Sequence, residues 1–271
     1  VPDSAIATFN RRNIVITGAS SGIGLAFAYR AAAAGGALVL VARRAAKLEA
    51  LAQTLRATYG ASVEVVPADL GVPGAAALLA ADLEQRGQEI DVLINNAGIG
   101  LHGDLIDASP ASVAAQIQLN VLTLAELTAT LLPGMAARRR GAIINIASTA
   151  AFQPVPHMAV YAATKAFVLS FSRALWAETR HTGVKVLAVC PGATDTEFFD
   201  TAGEDAAVGT RRSPDSVVDS ALRALARNRP TVVDGRANAF VAAVAPRLPQ
   251  RMVLRIAEGS VRPSSVKSLT K

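Results

Sequence analysis

Tyr161 and Lys165 stand four residues apart in Tyr161-Ala-Ala-Thr-Lys165, with Ser148 thirteen residues upstream. On a helix, positions i and i+4 share one face, so the ammonium of Lys165 is predicted beside the phenol of Tyr161. A free phenol titrates near ~10. A unit positive charge at ~4 Å is worth roughly 4 kcal/mol at an effective dielectric of about 20, enough to draw that phenol toward neutral pH. Such a group passes a proton to or from a carbonyl or alcohol oxygen. Ser148 closes the apolar run Ile143-Ile144-Asn145-Ile146-Ala147, which reads as a buried strand. Its hydroxyl would hold the oxygen that Tyr161 protonates. Taken alone, the spacing also fits a packed tyrosine beside a solvated lysine, so the surrounding elements decide.

Asn13-Ile14-Val15-Ile16-Thr17 reads as a strand, Gly18-Ala19-Ser20-Ser21-Gly22-Ile23-Gly24 as a turn, and Leu25 to Ala34 as an alanine-rich helix. A strand, a glycine turn and a helix N-terminus make a phosphate site, because backbone N–H groups and the helix dipole converge there. The second strand, Ala37-Leu38-Val39-Leu40-Val41, is apolar throughout, as a strand buried on both faces must be. An acidic residue for a ribose 2′-hydroxyl is expected about 20 positions after the glycines. That place holds Ala42, Arg43 and Arg44 instead. Two guanidinium groups suit a 2′-phosphate, which favours NADP(H) over NAD(H).

Further strands are predicted at Val63 to Pro67, Val92 to Asn95, Ala142 to Ala147, Val184 to Val189 and Thr231 to Val233. Helical stretches fall between them, notably Pro110 to Ala137 and Val160 to Arg180. Alternation over this length implies a single-domain α/β fold, a Rossmann-like doubly wound parallel sheet with helices on both faces. Ligands of such sheets bind at the carboxyl ends of the strands.

The ordered set Thr17-Gly18-x-x-x-Gly22-x-Gly24, Asp69-Leu70, Asn95-Asn96-Ala97-Gly98, Asn120, Ser148, Tyr161-x-x-x-Lys165 and Pro191-Gly192 resembles the short-chain dehydrogenase/reductase family, in its short single-domain form. The resemblance covers about residues 10 to 235. It implies Asn120, Ser148, Tyr161 and Lys165 as the catalytic group, with Asn120 holding a water behind Lys165. It also implies that Lys165 and Tyr161 bind the cofactor together with Gly18, Ser20, Ser21, Gly22, Ile23, Gly24, Arg43 and Arg44. Asp69 and Leu70 would line the adenine pocket, and Asn96, Ala97 and Gly98 would pass under the ribose. Pro191, Gly192, Thr194 and Thr196 would cover nicotinamide and phosphates. One departure is Ser21, where many NADP-preferring relatives carry a basic residue. The 2′-phosphate would then rest on Arg43, with help from Arg44. A homodimer or homotetramer paired through the long helices near Asn120 and Tyr161 is implied in the same way.

Residues 195 to 213 resemble a lid, and Phe198 and Phe199 in it should meet the substrate along with Phe152, Val155 and Met158, with Gly100 to His102 at the rim. These side chains favour an apolar or acyl-bearing carbonyl. His157 is expected in a surface loop rather than at the mouth. The reading is therefore an NADPH-dependent reductase of ketones or aldehydes. A ketosteroid or 3-ketoacyl reductase is the nearer alternative. A non-catalytic cofactor-binding regulator or membrane-associated adaptor is the alternative of another class.

The chain has 271 residues, 51% hydrophobic and 4% aromatic, so its core should be aliphatic. No signal-peptide core is seen in Val1 to Asn13 and no transmembrane helix is expected. The lone Cys190 excludes an internal disulfide and points to a reducing, cytoplasmic compartment. The three histidines show no metal spacing, and no metal is expected.

Charge is uneven. Residues 1 to 204 carry 15 basic and 16 acidic side chains, and residues 205 to 271 carry 12 and 5. In Ala237 to Ile256, Phe240, Val241, Val244, Leu248, Met252 and Ile256 recur at helical spacing, broken by Pro246 and Pro249 into two short helices. Residues 236 to 260 should cap the sheet, with 261 to 271 a disordered tail. The arginines among them also suit peripheral contact with an anionic membrane. No nucleic-acid reading motif accompanies them.

Overall fold

The computed structural model describes residues 8–262. Seven strands form one parallel sheet: β1 Asn13–Thr17, β2 Ala37–Ala42, β3 Val63–Pro67, β4 Val92–Asn95, β5 Gly141–Ile146, β6 Val184–Cys190 and β7 Thr231–Val233. Their order is β3-β2-β1-β4-β5-β6-β7, every pair parallel. The apolar runs alternate between the two faces with the period of a pleat. Ile14, Ile16, Leu38, Leu40, Val92 and Ile94 face one helical layer. That layer is α1 (Gly22–Ala33), α2 (Ala45–Tyr59) and α8 (Pro214–Ala226). Val15, Val39, Val41, Leu93 and Ile143 face the other. There α3 (Ala75–Gln85), α5 (Leu124–Ala137) and α6 (Ala159–Glu178) cover the sheet.

The chain leaves β1 toward β2 on one side and enters β4 on the other, so a crevice opens beyond the carboxyl ends of these two neighbours. Thr17 closes its floor. Its hydroxyl donates to the Ile94 carbonyl at 3.2 Å and accepts from Asn96 N and Ala97 N, both at 3.0 Å.

The stretch expected as one helix, 110 to 137, is interrupted. Ser109 caps α4 (Pro110–Ile117) by accepting from Ser112 N, and a π-helical turn, Gln118–Thr123, leads into α5. An extra residue in a turn rotates the remainder of the helix about its axis, and such turns concentrate at functional sites. This one carries Asn120. By length and composition Pro110–Ala137 is apolar enough to cross a membrane, with a mean hydropathy of 1.3 over 18 residues, a test that core helices also pass. Its α5 portion packs on α3, β4 and β5.

The C-terminal pattern does resolve into two helices, α9 (Arg236–Val244) and α10 (Gln250–Val261), after the short lid helix α7 (Phe198–Ala202). Val261, expected in the tail, ends α10 and is only 2% exposed. The rest of that tail lies outside the described residues.

Candidate active site

A cleft of about 990 Å³ runs along the carboxyl ends of the strands. At one end lies the glycine turn. Gly18 has φ +66°, and a side chain there would come within 3.0 Å of the Ala97 backbone. Gly24 is tighter: a Cβ would sit 2.4 Å from the Gly18 carbonyl oxygen and 2.5 Å from Asn96 Nδ2. Asn96 holds this arrangement by donating to the carbonyls of Thr17 and Gly18 at 2.9 and 3.1 Å. Among the described residues no side chain caps α1, so its first N–H groups face the cleft. That donor set fits a pyrophosphate. Gly24 itself packs behind the turn and does not line the cleft. Gly24→Ala is expected to destabilise the fold by about 1–3 kcal/mol through overpacking against backbone and to weaken dinucleotide binding. Thermal unfolding and cofactor titration check both, and a variant indistinguishable from wild type in both would refute the packing argument.

Arg43 and Arg44 both line the cleft after β2. Arg43 has no hydrogen bond or ion pair among the described residues. Arg44 reaches back over the turn, donating to Ser20 Oγ at 2.8 Å and Ser21 Oγ at 3.0 Å. Its guanidinium thus stands over the glycine turn at Ser20 and Ser21. Arg44 also pairs with Glu197 at 2.7 Å, as does Lys47. Lys47 first, then Arg44, hold the Glu197 carboxyl down at about 2. Glu197 and Lys47 escaped the sequence reading, because they lie 150 residues apart and only the fold brings them together.

At the other end stand Ser148, Tyr161 and Lys165, all lining the cleft. Asn120 lies behind them. Its side chain accepts from Ile99 N at 3.0 Å and donates to Ile99 O and Thr164 Oγ1 at 2.9 and 3.1 Å. A Cβ on Gly98 would lie 3.2 Å from Asn120 Oδ1 and 3.4 Å from Lys165 Nζ, so both groups converge on this glycine.

The electrostatics differ from the expectation. Lys165 Nζ lies 5.7 Å from the Tyr161 ring centre and donates to the Ile146 carbonyl at 2.8 Å. Burial pushes the Tyr161 phenol up to about 12, opposed only by the Ser148 hydroxyl. Burial also brings the Lys165 ammonium down to about 8. The i, i+4 spacing does place the two side chains together. However, the ammonium is drawn onto a main-chain oxygen, and desolvation of the phenolate outweighs its charge. Tyr161 therefore keeps its proton at neutral pH. Cys190 is buried, with its thiol pushed up to about 12, and is no nucleophile.

Asp69, Leu70, Asn96, Ala97 and Gly98 line the middle of the cleft, and Pro191, Gly192, Thr194 and Thr196 its roof. Thr196 Cγ2 would lie 2.7 Å from a Cβ on Gly22, so the roof touches the glycine turn. The lid begins where Thr194 and Arg212 form a β-bridge. Arg212 is anchored to the buried Asp234, which also accepts from Ser220. Phe198 lies 5.4 Å from the Tyr161 ring, and Phe199 is edge-on to Phe198. Val155 and Met158 join the same apolar cluster.

Phe152 does not line this cleft. It packs with Leu169 and Cys190, beneath the Arg173 guanidinium, and borders a separate apolar depression. Of Gly100 to His102 only Gly100 lines the cleft; His102 holds the Val261 carbonyl at 2.6 Å instead. His157 lies off the cleft, 2.6 Å from Asp104. Unforeseen lining comes from Asn238, Val241, Ile256, Ala257, Ser260 and Val261. The helical spacing of α9 and α10 was legible, but not that their inner edge closes the cavity.

A family model described as short chain dehydrogenase matches residues 12–207. The chain belongs to this family. Among curated relatives, dehydrogenase/reductase SDR family member 7B of Bos taurus is 35% identical over 81% of this chain and 72% of its own length. Ketoacyl reductase HetN of a Nostoc strain is 32% identical over 96% of this chain and 88% of its own. Among solved structures, a short-chain dehydrogenase from Sphingobium yanoikuyae in complex with NADPH superposes with a TM-score of 0.80 at 38% identity, covering 87% of this chain and 93% of that one. As a short-chain dehydrogenase, the chain keeps Tyr161 and its glycine turn in one cleft.

Proposed function

We propose that this short-chain dehydrogenase reduces an apolar or acyl-bearing ketone or aldehyde with NADPH, reversibly. The observation that carries the reading is the single cleft that joins an α1 phosphate cradle and two arginines to Ser148, Tyr161, Lys165 and Asn120. Bound NADP(H) would be held by the glycine turn, Arg43, Arg44, Asp69, Asn96 and Thr194. It supplies the hydride. The chain itself handles the oxygen and the proton. Ser148 and Tyr161 hold the carbonyl oxygen, and Tyr161 delivers its proton there as negative charge develops. Lys165, charged below about 8, steadies the phenolate left behind, and Asn120 ties the loop at Ile99 to the helix at Thr164. Phe198 covers the reacting region and excludes water.

The same reading includes pairing into a homodimer or homotetramer along α5 and α6, where Phe167 stays 39% exposed. A 3-ketoacyl substrate suits the apolar side chains of Met158, Val241, Ile256 and Val261 that line the cleft. The relative that is a ketoacyl reductase agrees. NADPH oxidation should be followed over ketones, aldehydes, ketosteroids and 3-ketoacyl thioesters. Turnover of thioesters above the rest is expected. Silence across the panel with tight NADPH binding would favour the non-catalytic regulator.

Arg43→Ala is expected to weaken NADPH by roughly 10- to 100-fold, the worth of a charge-assisted contact, and NADH little. Equal losses for both cofactors would remove Arg43 from the 2′-phosphate.

A further inference from the structure

Helix α10 buries Val253, Ala257 and Val261, each four residues from the last. It leaves Met252 and Ile256 49% and 56% exposed. Helix α9 adds Phe240 at 69% and Val241 at 50%. Large exposed apolar side chains mark an interaction surface, and Val241 and Ile256 bring the two helices to one cleft. Cations stand among them. Arg236, Arg247, Arg251 and Arg255 are all exposed, and Arg251 and Arg255 repeat the four-residue step directly beside Met252 and Ile256. From residue 236 to 262 Glu258 is the lone acid, and it lies 3.9 Å from Arg262. The ridge is also the rim of the catalytic cleft, since Val241, Ile256 and Ser260 belong to both.

We propose that the α9–α10 face docks on an anionic lipid surface. Phe240 and Met252 enter among the acyl chains, the arginines meet lipid phosphates, and the cleft opens toward the apolar layer. A helix pair with large apolar residues flanked by arginines matches the two-part chemistry of that surface. A second copy of the chain fits it badly, because two-fold pairing would set this arginine-rich face against itself. An acidic soluble protein would answer the arginines and leave the aromatic and methionine without a partner. The docking stands on this face alone; only the benefit of delivering an apolar substrate rests on the proposed reductase activity.

The test is sedimentation of the full chain with phosphatidylcholine vesicles, with and without phosphatidylglycerol. The wild type, Arg251→Glu/Arg255→Glu and Phe240→Asp/Met252→Asp are compared. None of these four residues lines the cleft. The wild type is expected to partition onto the anionic vesicles at least about tenfold more strongly than onto neutral ones, as about two surface arginines suffice to give. Charge reversal should remove that preference, and the aspartate pair should weaken binding to a similar extent. NADPH binding measured without vesicles should be alike in all three proteins, which certifies folding and separates a failure of docking from a failure of the reductase reading. Equal partition onto both vesicle types would overturn the proposal, as would variants that bind like the wild type. A wild-type oligomer that the aspartate pair dissociates would overturn it too, assigning the face to a second copy.

Discussion

Tyr161→Phe is expected to bind NADPH as the wild type does and to lose turnover by roughly 10²- to 10⁴-fold, the usual contribution of a positioned proton donor. The side chain is half-buried and lines the cleft against Phe198, so phenylalanine fills the same space and the fold is unaffected. The change removes the hydroxyl that faces Ser148. Because burial holds the phenol near 12, Tyr161 carries its proton at neutral pH and little phenolate is present to act as base. Reduction should therefore vary little between mildly acidic and neutral pH. Oxidation, which needs the phenolate, should climb as pH rises toward the phenol's own value. Steady-state kinetics of wild type and variant in both directions check this. Turnover of Tyr161→Phe within a few-fold of wild type would dismiss the tyrosine as the acid.

That pH asymmetry was not legible in the sequence. Spacing alone places Lys165 beside Tyr161, and the helix α6 does bring them together. The sign of the perturbation depends on burial and on the Ile146 carbonyl that captures the ammonium, and neither has a local signature. The strands were legible because a parallel sheet covered on both faces demands unbroken apolar runs such as Leu38 to Val41. The turn geometry was legible because only glycine fits at Gly18 and Gly24. The π-helical turn at Asn120 was not, since Gln118–Thr123 has the composition of any amphipathic helix. Phe152 shows the converse error. It is near Ser148 in sequence and apolar, yet the 3₁₀ turn Thr149–Phe152 carries it past the cleft and under Arg173. Proximity along the chain says little about which side of a turn a side chain takes.

Lys165→Met should abolish most turnover and yet stabilise the fold at neutral pH. Lys165 is 6% exposed, forms no ion pair among the described residues, and donates to the Ile146 carbonyl. Burial lowers it from an ordinary value of 10.5 to about 8. Below about 8 the lysine is charged in the folded and the unfolded chain, and the fold bears the full cost of desolvating that charge. A gap of this size corresponds to roughly 3 kcal/mol, of which about 2 kcal/mol should be recovered once imperfect packing of methionine is allowed for. Between about 8 and 10.5 the unfolded chain binds the extra proton. Wild-type stability therefore rises with pH, and the advantage of methionine shrinks. Above 10.5 lysine is neutral in both states and the advantage is gone. Urea unfolding of both proteins at neutral and at alkaline pH measures this directly. A lysine kept for packing or for its hydrogen bond would behave oppositely, with methionine less stable at every pH. That result, or a stability difference independent of pH, would show that the buried charge is not held at a cost to the fold. Loss of turnover together with a gain in stability would show that the fold tolerates this cation for its effect on Tyr161.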